Sequence, residues 1–163
     1  MNSAIPGPVA FEPHDHSDCV ARAVASAEAI CAERGLRLTP IRRRALEVLA
    51  AEHKALGAYD VLALMAEDGH ASHPPVAYRA LDFLVAHGFA HKIERMAAFV
   101  ACSHPGDHHR PAFLICRSCR VVAEAHVPNG EGALGKAARA LGFEVEETVI
   151  EAEGLCRACR ESA

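Results

Sequence analysis

The chain has 163 residues, 51% of them hydrophobic and 23% charged, enough to bury one moderate core or two small ones. Tryptophan is absent and aromatic residues make up only 5%, so any core is aliphatic and alanine-rich, a composition that favours helices in the first half. The net charge of −4 excludes a uniformly basic nucleic-acid binder, but the charge is segregated: Arg34, Arg37, Arg42, Arg43 and Arg44 fall together, and Glu144, Glu146, Glu147, Glu151 and Glu153 crowd one late segment. A solvated helix face explains the arginine cluster as well as a phosphate-binding surface does.

Residues 1–16, with Pro6, Pro8 and Pro13, read as a flexible tail in which His14 and His16 are idle. Met1 to Ala10 has neither a basic start nor an apolar run, and with seven cysteines the chain reads as cytoplasmic, where thiols stay reduced. Ser17 or Asp18 caps a first helix on Val20, Val24, Ala27 and Cys31 that stops near Gly35. Thr39-Pro40 opens a second on Ile41, Ala45, Val48 and Leu49. A third begins at Tyr59-Asp60, turns Val61, Leu62 and Met65 inward and stops at Gly69.

After His73-Pro74-Pro75 a fourth helix carries Tyr78, Leu81, Leu84 and Val85 on one side and Arg79 on the other, and Gly88 closes it. Phe89 to Glu94 and Ala98 to Cys102 then form a hairpin around Arg95-Met96-Ala97. Helices followed by a hairpin are the winged-helix plan, in which the helix before the wing, here Pro75 to His87, enters the major groove.

Ser103 to Arg110 reads as a hinge. Beyond it come strands over Ala112 to Cys116 and Val121 to Val127, a helix over Gly130 to Leu141 on Leu134, Ala137, Ala138 and Leu141, and a strand over Phe143 to Ala152. The fold class is therefore α+β, with an N-terminal winged-helix lobe and a small C-terminal α/β lobe. The expected division is a tail over 1–16, a DNA-binding domain over 17–102, a hinge over 103–110 and a dimerisation domain over 111–163.

Two Cys-x-x-Cys pairs, Cys116/Cys119 and Cys156/Cys159, supply the four thiolates of a tetrahedral structural zinc, each pair in a strand-to-turn setting typical of zinc ribbons. A second density of ligand types lies around the hinge: His91, Cys102, His104, His108, His109, Glu124 and His126. An ion held by His91 and Cys102 of the wing and Glu124 of the other lobe would fix the angle between lobes, the physical form of a sensor. Singly, each has a plainer reading: an exposed strand histidine, a buried thiol, a solvated carboxylate. A rival function is a zinc hydrolase, with His91, Cys102 and His109 holding the ion and Glu124 as general base, but the sequence carries no His-Glu-x-x-His helix.

Several stretches together resemble the ferric uptake regulator family, most of all its zinc-sensing branch. They are Arg37-Leu38-Thr39-Pro40, Ala58-Tyr59-Asp60, Pro74-Pro75 with Tyr78-Arg79-Ala80-Leu81-Asp82-Phe83-Leu84, Gly88-Phe89 with His91-Lys92, Ile115-Cys116-x-x-Cys119 and Val149-Ile150-Glu151-Ala152-x-Gly154-Leu155-Cys156-x-x-Cys159. The resemblance spans about Ala21 to Arg160. It implies a homodimeric, metal-dependent repressor of operator DNA, acting on zinc uptake genes, with no membrane partner and no small organic substrate. It also implies two zinc ions per chain, one structural on Cys116, Cys119, Cys156 and Cys159, one regulatory on His91, Cys102, His109 and Glu124. DNA contacts fall on Tyr59, Tyr78 and Arg79, and Arg42 reads as a phosphate contact.

Two departures matter. The family's Thr-Val-Tyr-Arg is here Val76-Ala77-Tyr78-Arg79, which lacks a hydroxyl at the helix start; and Asp107 precedes His108-His109, unlike the His-His-x-Asp-His order of iron sensors. An iron or peroxide sensor of the same family remains the alternative. His104, His108 and His126 leave a third site open, and His109 has better spacing to Cys116 than His108.

Overall fold

A computed structural model describes residues 11–12, 14–69, 73–107, 111–126 and 132–162, without the side chain of His126. The first helix, α1 (His16–Arg34), is capped by Asp15 rather than Ser17 or Asp18: its carboxylate accepts the Ser17 N–H at 2.9 Å. The helix ends where Gly35 takes a left-handed φ of 64° and donates its N–H to the Cys31 carbonyl, a conformation glycine adopts without steric cost. Cys31 is a buried core residue, as its spacing predicts.

Helix α2 (Pro40–Ala50) starts with Thr39 Oγ1 accepting the Arg42 N–H and Pro40 in the first turn. A two-residue strand, β1 (Leu56–Gly57), leads into α3 (Ala58–Glu67), where the Asp60 carboxylate accepts the Gly57 N–H at 3.0 Å. Helix α4 (Pro74–Ala86) packs against α2 and α3. Leu46, Leu49, Met65, Leu81, Leu84 and Phe89 fill the space between them, each all but fully buried. Ala27, Ala45, Ala58 and Ala80 interleave with these larger side chains, which lets the helices approach closely.

The inner face of α4 differs from the expected one. Ala77, Ala80, Leu81 and Leu84 are buried, whereas Tyr78 and Val85 stand outside. Tyrosine and valine suggested an apolar stripe, but the i, i+3, i+4, i+7 series that meets the core begins one residue earlier, on alanine.

Strands β2 (Ala90–Ile93) and β3 (Ala98–Ala101) make the antiparallel wing around a 3-10 turn at Glu94–Met96, and β1 adds to the free side of β3. β1 is too short to leave a pattern in the sequence.

In the C-terminal lobe β4 (Pro111–Cys116) lies between β5 (Val122–His126), antiparallel, and β6 (Ile150–Gly154), parallel. Between β5 and β6 comes α5 (Ala133–Ala140), and α6 (Arg157–Glu161) follows β6. The last strand was expected over Phe143 to Ala152, yet residues 143–149 have no regular structure. The parallel register pairs Ala112 with Ile150, and the next position down is Pro111, which has no N–H to continue a ladder.

The lobes are joined by a shared apolar cluster: Ala55, Ile93, Ala98 and Val100 from the wing side, Phe113, Ile115 and Val122 from the other. Backbone bonds stitch its edge, Val122 N–H to the His53 carbonyl at 2.7 Å and Ala55 N–H to the Arg120 carbonyl at 3.3 Å. At the wing tip the Glu151 carboxylate accepts the N–H groups of Glu94 (2.7 Å) and Arg95 (3.1 Å). No helix among the described residues is long and apolar enough to cross a membrane.

Candidate metal and DNA sites

The β4–β5 turn carries Cys116 at the strand end and Cys119 in the turn, and Arg120 closes it with a left-handed φ of 64°, its N–H on the Cys116 carbonyl at 2.9 Å. Parallel pairing of β6 along β4 brings Cys156 to the same end, but there the strand leads into a helix rather than the expected turn: Cys156 caps α6, whose first turn adds Cys159. All four sulfurs lie within 4.8 Å of one another, with Cys119 and Cys156 at 3.9 Å. Four sulfurs bound about 2.3 Å from one tetrahedral zinc stand about 3.8 Å apart, so this donor set fits zinc closely.

None of the four is in a disulfide. Burial raises the Cys116 thiol, but N–H groups of Cys119, Cys156 and Ser118 outweigh it and draw the group below its ordinary range; Cys156 N–H reaches the Cys116 sulfur at 3.4 Å. Burial and the neighbouring sulfurs push Cys119 up. Backbone N–H groups aimed at one sulfur are how a zinc knuckle holds a thiolate.

The second constellation sits where the lobes meet. His91 lies on β2 with its ring against Phe113 (centroids 5.3 Å apart), Cys102 follows β3 with its N–H on the Phe89 carbonyl, and Glu124 sits on β5 opposite Phe113. Glu124 Oε1 is 3.4 Å from His91 Nε2 and 4.0 Å from Cys102 Sγ, and Oε2 accepts the Ser103 N–H at 2.8 Å. Burial, reinforced by the Glu124 charge, pushes the Cys102 thiol up to about 12. One nitrogen, one sulfur and one carboxylate oxygen from three elements therefore converge, a donor set that suits zinc. His108 and His109 lie outside the described residues, as does the His126 side chain; His104 is exposed and does not join the cluster.

A third group was not expected. His14 and His16, read from the sequence as idle, come together with Cys19 and with His53 from the α2–β1 connection. The one signal available beforehand was the His-x-His-x-x-Cys spacing, since His53 is brought in only by the fold.

The outer surface of the helical lobe carries Tyr59 at the start of α3, 68% exposed, and Tyr78 on α4, 43% exposed, their rings edge to face with centroids 6.5 Å apart. Arg79 stands exposed beside Tyr78. Arg42, expected as a phosphate contact, also has partners within the lobe. Its guanidinium lies 3.7 Å from the centre of the Phe83 ring and donates to the Arg37 carbonyl at 2.6 Å, so it pins the loop before α2 against α4. Arg43 pairs with Glu28 and Glu47, and Arg44 with Glu47 and Asp68, so these two arginines tie α2 to α1 and to the end of α3.

Comparison with known proteins agrees with this geometry. The profile of the ferric uptake regulator family matches residues 33–153. The zinc uptake regulation protein of Escherichia coli (strain K12) is 42% identical over 140 residues, covering 85% of this chain and 81% of that protein. A zinc uptake regulator complexed with zinc and DNA superposes with a TM-score of 0.80 at 40% identity, over 88% of this chain and 96% of that one. The holo form of XcZur gives 0.74 at 44% identity over 85% of this chain and 96% of that one. Its apo form gives 0.51 at 42% identity over 88% and 99%. The chain thus stands nearer the holo than the apo arrangement. By the profile match and the identity over most of its length, the chain belongs to the ferric uptake regulator family.

Proposed function

We propose that the protein is a zinc-responsive transcriptional repressor that binds operator DNA as a homodimer and controls zinc uptake genes in the cytoplasm. The observation that carries this reading is the convergence of His91, Cys102 and Glu124 from three elements across the lobe junction. His109 is proposed as the fourth donor of this regulatory site. Cys116, Cys119, Cys156 and Cys159 hold a separate structural zinc, for two ions per chain in these roles. The domain division proposed is a helix-and-wing DNA-binding unit over 17–102, a connection over 103–110 and a dimerisation unit over 111–163.

When bound at the junction, zinc supplies a positive centre shared by donors from both lobes. The Glu151 contacts, the backbone stitches and the apolar cluster also hold the wing to the other lobe. An ion held by His91 and Cys102 of the wing side and by Glu124 of β5 would fix the wing against the other lobe before DNA arrives. The restricted dimer then presents its two α4 helices at a single spacing, to be matched to adjacent major-groove half-sites. A coupling free energy of about 1–3 kcal/mol gives roughly 5- to 150-fold tighter DNA binding.

At the DNA, Arg79 reads a guanine edge through its two-pronged guanidinium, and Tyr59 and Tyr78 offer hydroxyls to phosphate. A thiol among the junction donors favours zinc over the harder ions an iron sensor uses. A carboxylate within reach of both His91 and Cys102 suits a ligand role, which favours the closed sensor site over the hydrolase arrangement, where that group stands off as a base.

The test is fluorescence anisotropy of the full-length protein on labelled duplexes from promoters of metal-transport genes, across buffered free-zinc levels. Specific binding that rises with zinc is the expected result. Binding that ignores zinc, or answers to iron(II) alone, overturns the reading.

A further inference from the structure

The repressor reading makes no use of His14, His16 and Cys19 near the start of the chain, nor of His53, which the fold brings beside them. We propose that His14, His16, Cys19 and His53 form a third metal site, for a zinc-type divalent cation, which clamps the N-terminal segment onto the junction between the lobes. It is separate from the hinge donors and does not depend on what they sense.

The geometry is that of a collapsed tetrahedral set. Asp15 caps α1, which places His14 just before the helix, His16 at its first residue and Cys19 one turn on, so that His16 and Cys19 share a face. His14 Nδ1 bonds the Glu12 carbonyl at 2.8 Å, which turns Nε2 inward. That nitrogen stands 3.3 Å from Cys19 Sγ and 3.0 Å from His53 Nε2, and His53 Nε2 is 3.9 Å from Cys19 Sγ. Donors about 2.0–2.3 Å from one tetrahedral zinc stand about 3.3–3.8 Å apart, which these separations bracket. The His14 backbone bond is the outer support metal-bound imidazoles use to fix ring and tautomer.

Two further observations point to a ligand. His16 Nδ1 is buried and has no hydrogen-bond partner among the described residues. The three imidazoles crowd with ring centroids 4.5 to 5.1 Å apart, and Cys19 joins them to make four ligand atoms within 4.8 Å of one another.

The placement gives the site a task. His53 lies on the connection whose backbone is bonded to Val122 and bridged at Lys54–Val121, next to the turn that carries Cys116 and Cys119. A cleft of about 470 Å³ runs from His16 and His53 to Cys119, Cys156 and Cys159. A cation on the four donors ties the first turn of α1 to that connection, and through it to the C-terminal lobe.

The experiment measures zinc content by plasma mass spectrometry on full-length protein loaded with zinc and freed of loose ions with a weak chelator. Wild type is compared with Cys19→Ser, His53→Ala, the double variant, and Cys102→Ser. Cys19→Ser and His53→Ala should each lose one equivalent per chain, and the double variant no more than either. Cys102→Ser should lose a different equivalent, additive with Cys19→Ser. Wild-type content in Cys19→Ser and His53→Ala, or losses that add between those two, overturns the proposal.

Should a variant lose helicity, wild type with its hinge and four-cysteine sites filled with zinc decides by cobalt(II) titration. A further equivalent with intense tetrahedral absorption and a thiolate charge-transfer band supports the site. Weak octahedral absorption without that band overturns it.

Discussion

Arg79 and Tyr78 are adjacent in sequence and share the exposed side of α4, an exposure the tyrosine's aromatic character concealed. If Arg79 reads a guanine, Arg79→Ala costs about 1–3 kcal/mol of discrimination, while binding to unrelated duplex weakens far less. Competition anisotropy with specific and scrambled duplexes measures this, and an unchanged ratio of affinities removes Arg79 from base readout. The cysteines separate by role in the same way. Cys102→Ser should leave a folded protein whose DNA binding no longer answers to zinc. Cys119→Ser takes one of four sulfurs from the site that closes the β4–β5 turn on β6 and α6, and should lower the melting temperature of the zinc-loaded protein steeply. Equal melting temperatures for the two variants would mean that the structural and regulatory roles are wrongly divided.

At the scale of elements, the wing is held at its tip. Glu151 of β6 accepts two N–H groups from the Glu94–Met96 turn, and Arg95 reaches Glu153 at 3.7 Å. The acidic segment that looked in the sequence like a separate charged surface thus includes residues that dock the wing. Glu151→Ala should cost about 1–2 kcal/mol at this half-exposed place. Faster amide exchange at Glu94 and Arg95, with a several-fold loss of zinc-dependent DNA affinity, is the expected outcome; unchanged exchange would show that the tip needs no such anchor. The helices were legible from caps and periodicity because those signals are local: Thr39-Pro40, Gly35 and the buried series of α2 are where the pattern puts them. The face of α4, the strand β1 and the helix α6 were not, because each depends on a partner far along the chain. Ala77 is buried because α2 and α3 pack there, and β1 exists because β3 offers it an edge.

On the scale of the whole molecule, the C-terminal lobe leaves a large apolar surface in water. Leu134 and Leu141 lie seven residues apart on one side of α5 and are 61% and 83% exposed, and Phe143 and Val149 add 65% and 57%. Exposed large apolar side chains in such number mark an interaction surface, and a second copy is the occupant that the proposed homodimer calls for. Leu141→Asp combined with Phe143→Asp should therefore give monomers by sedimentation, with DNA affinity reduced at least tenfold and far-UV circular dichroism retained. A dimer that survives both changes would place the interface elsewhere.

The cysteine pairs, the hinge ligand types and the run along α4 are legible from residue identity and short spacing, so the sequence alone pointed to the fold class and a four-cysteine metal set, and through its family resemblance to the functional class. Tertiary structure decided what depends on long-range approach. It committed Arg42 to Phe83 and Arg37, and brought Glu124 within reach of His91 and Cys102. It also carried His53 to the histidines and cysteine at the start of α1. Spacing along the chain encodes turns and caps, whereas a site closed by residues tens of positions apart exists only once packing has brought its elements into contact.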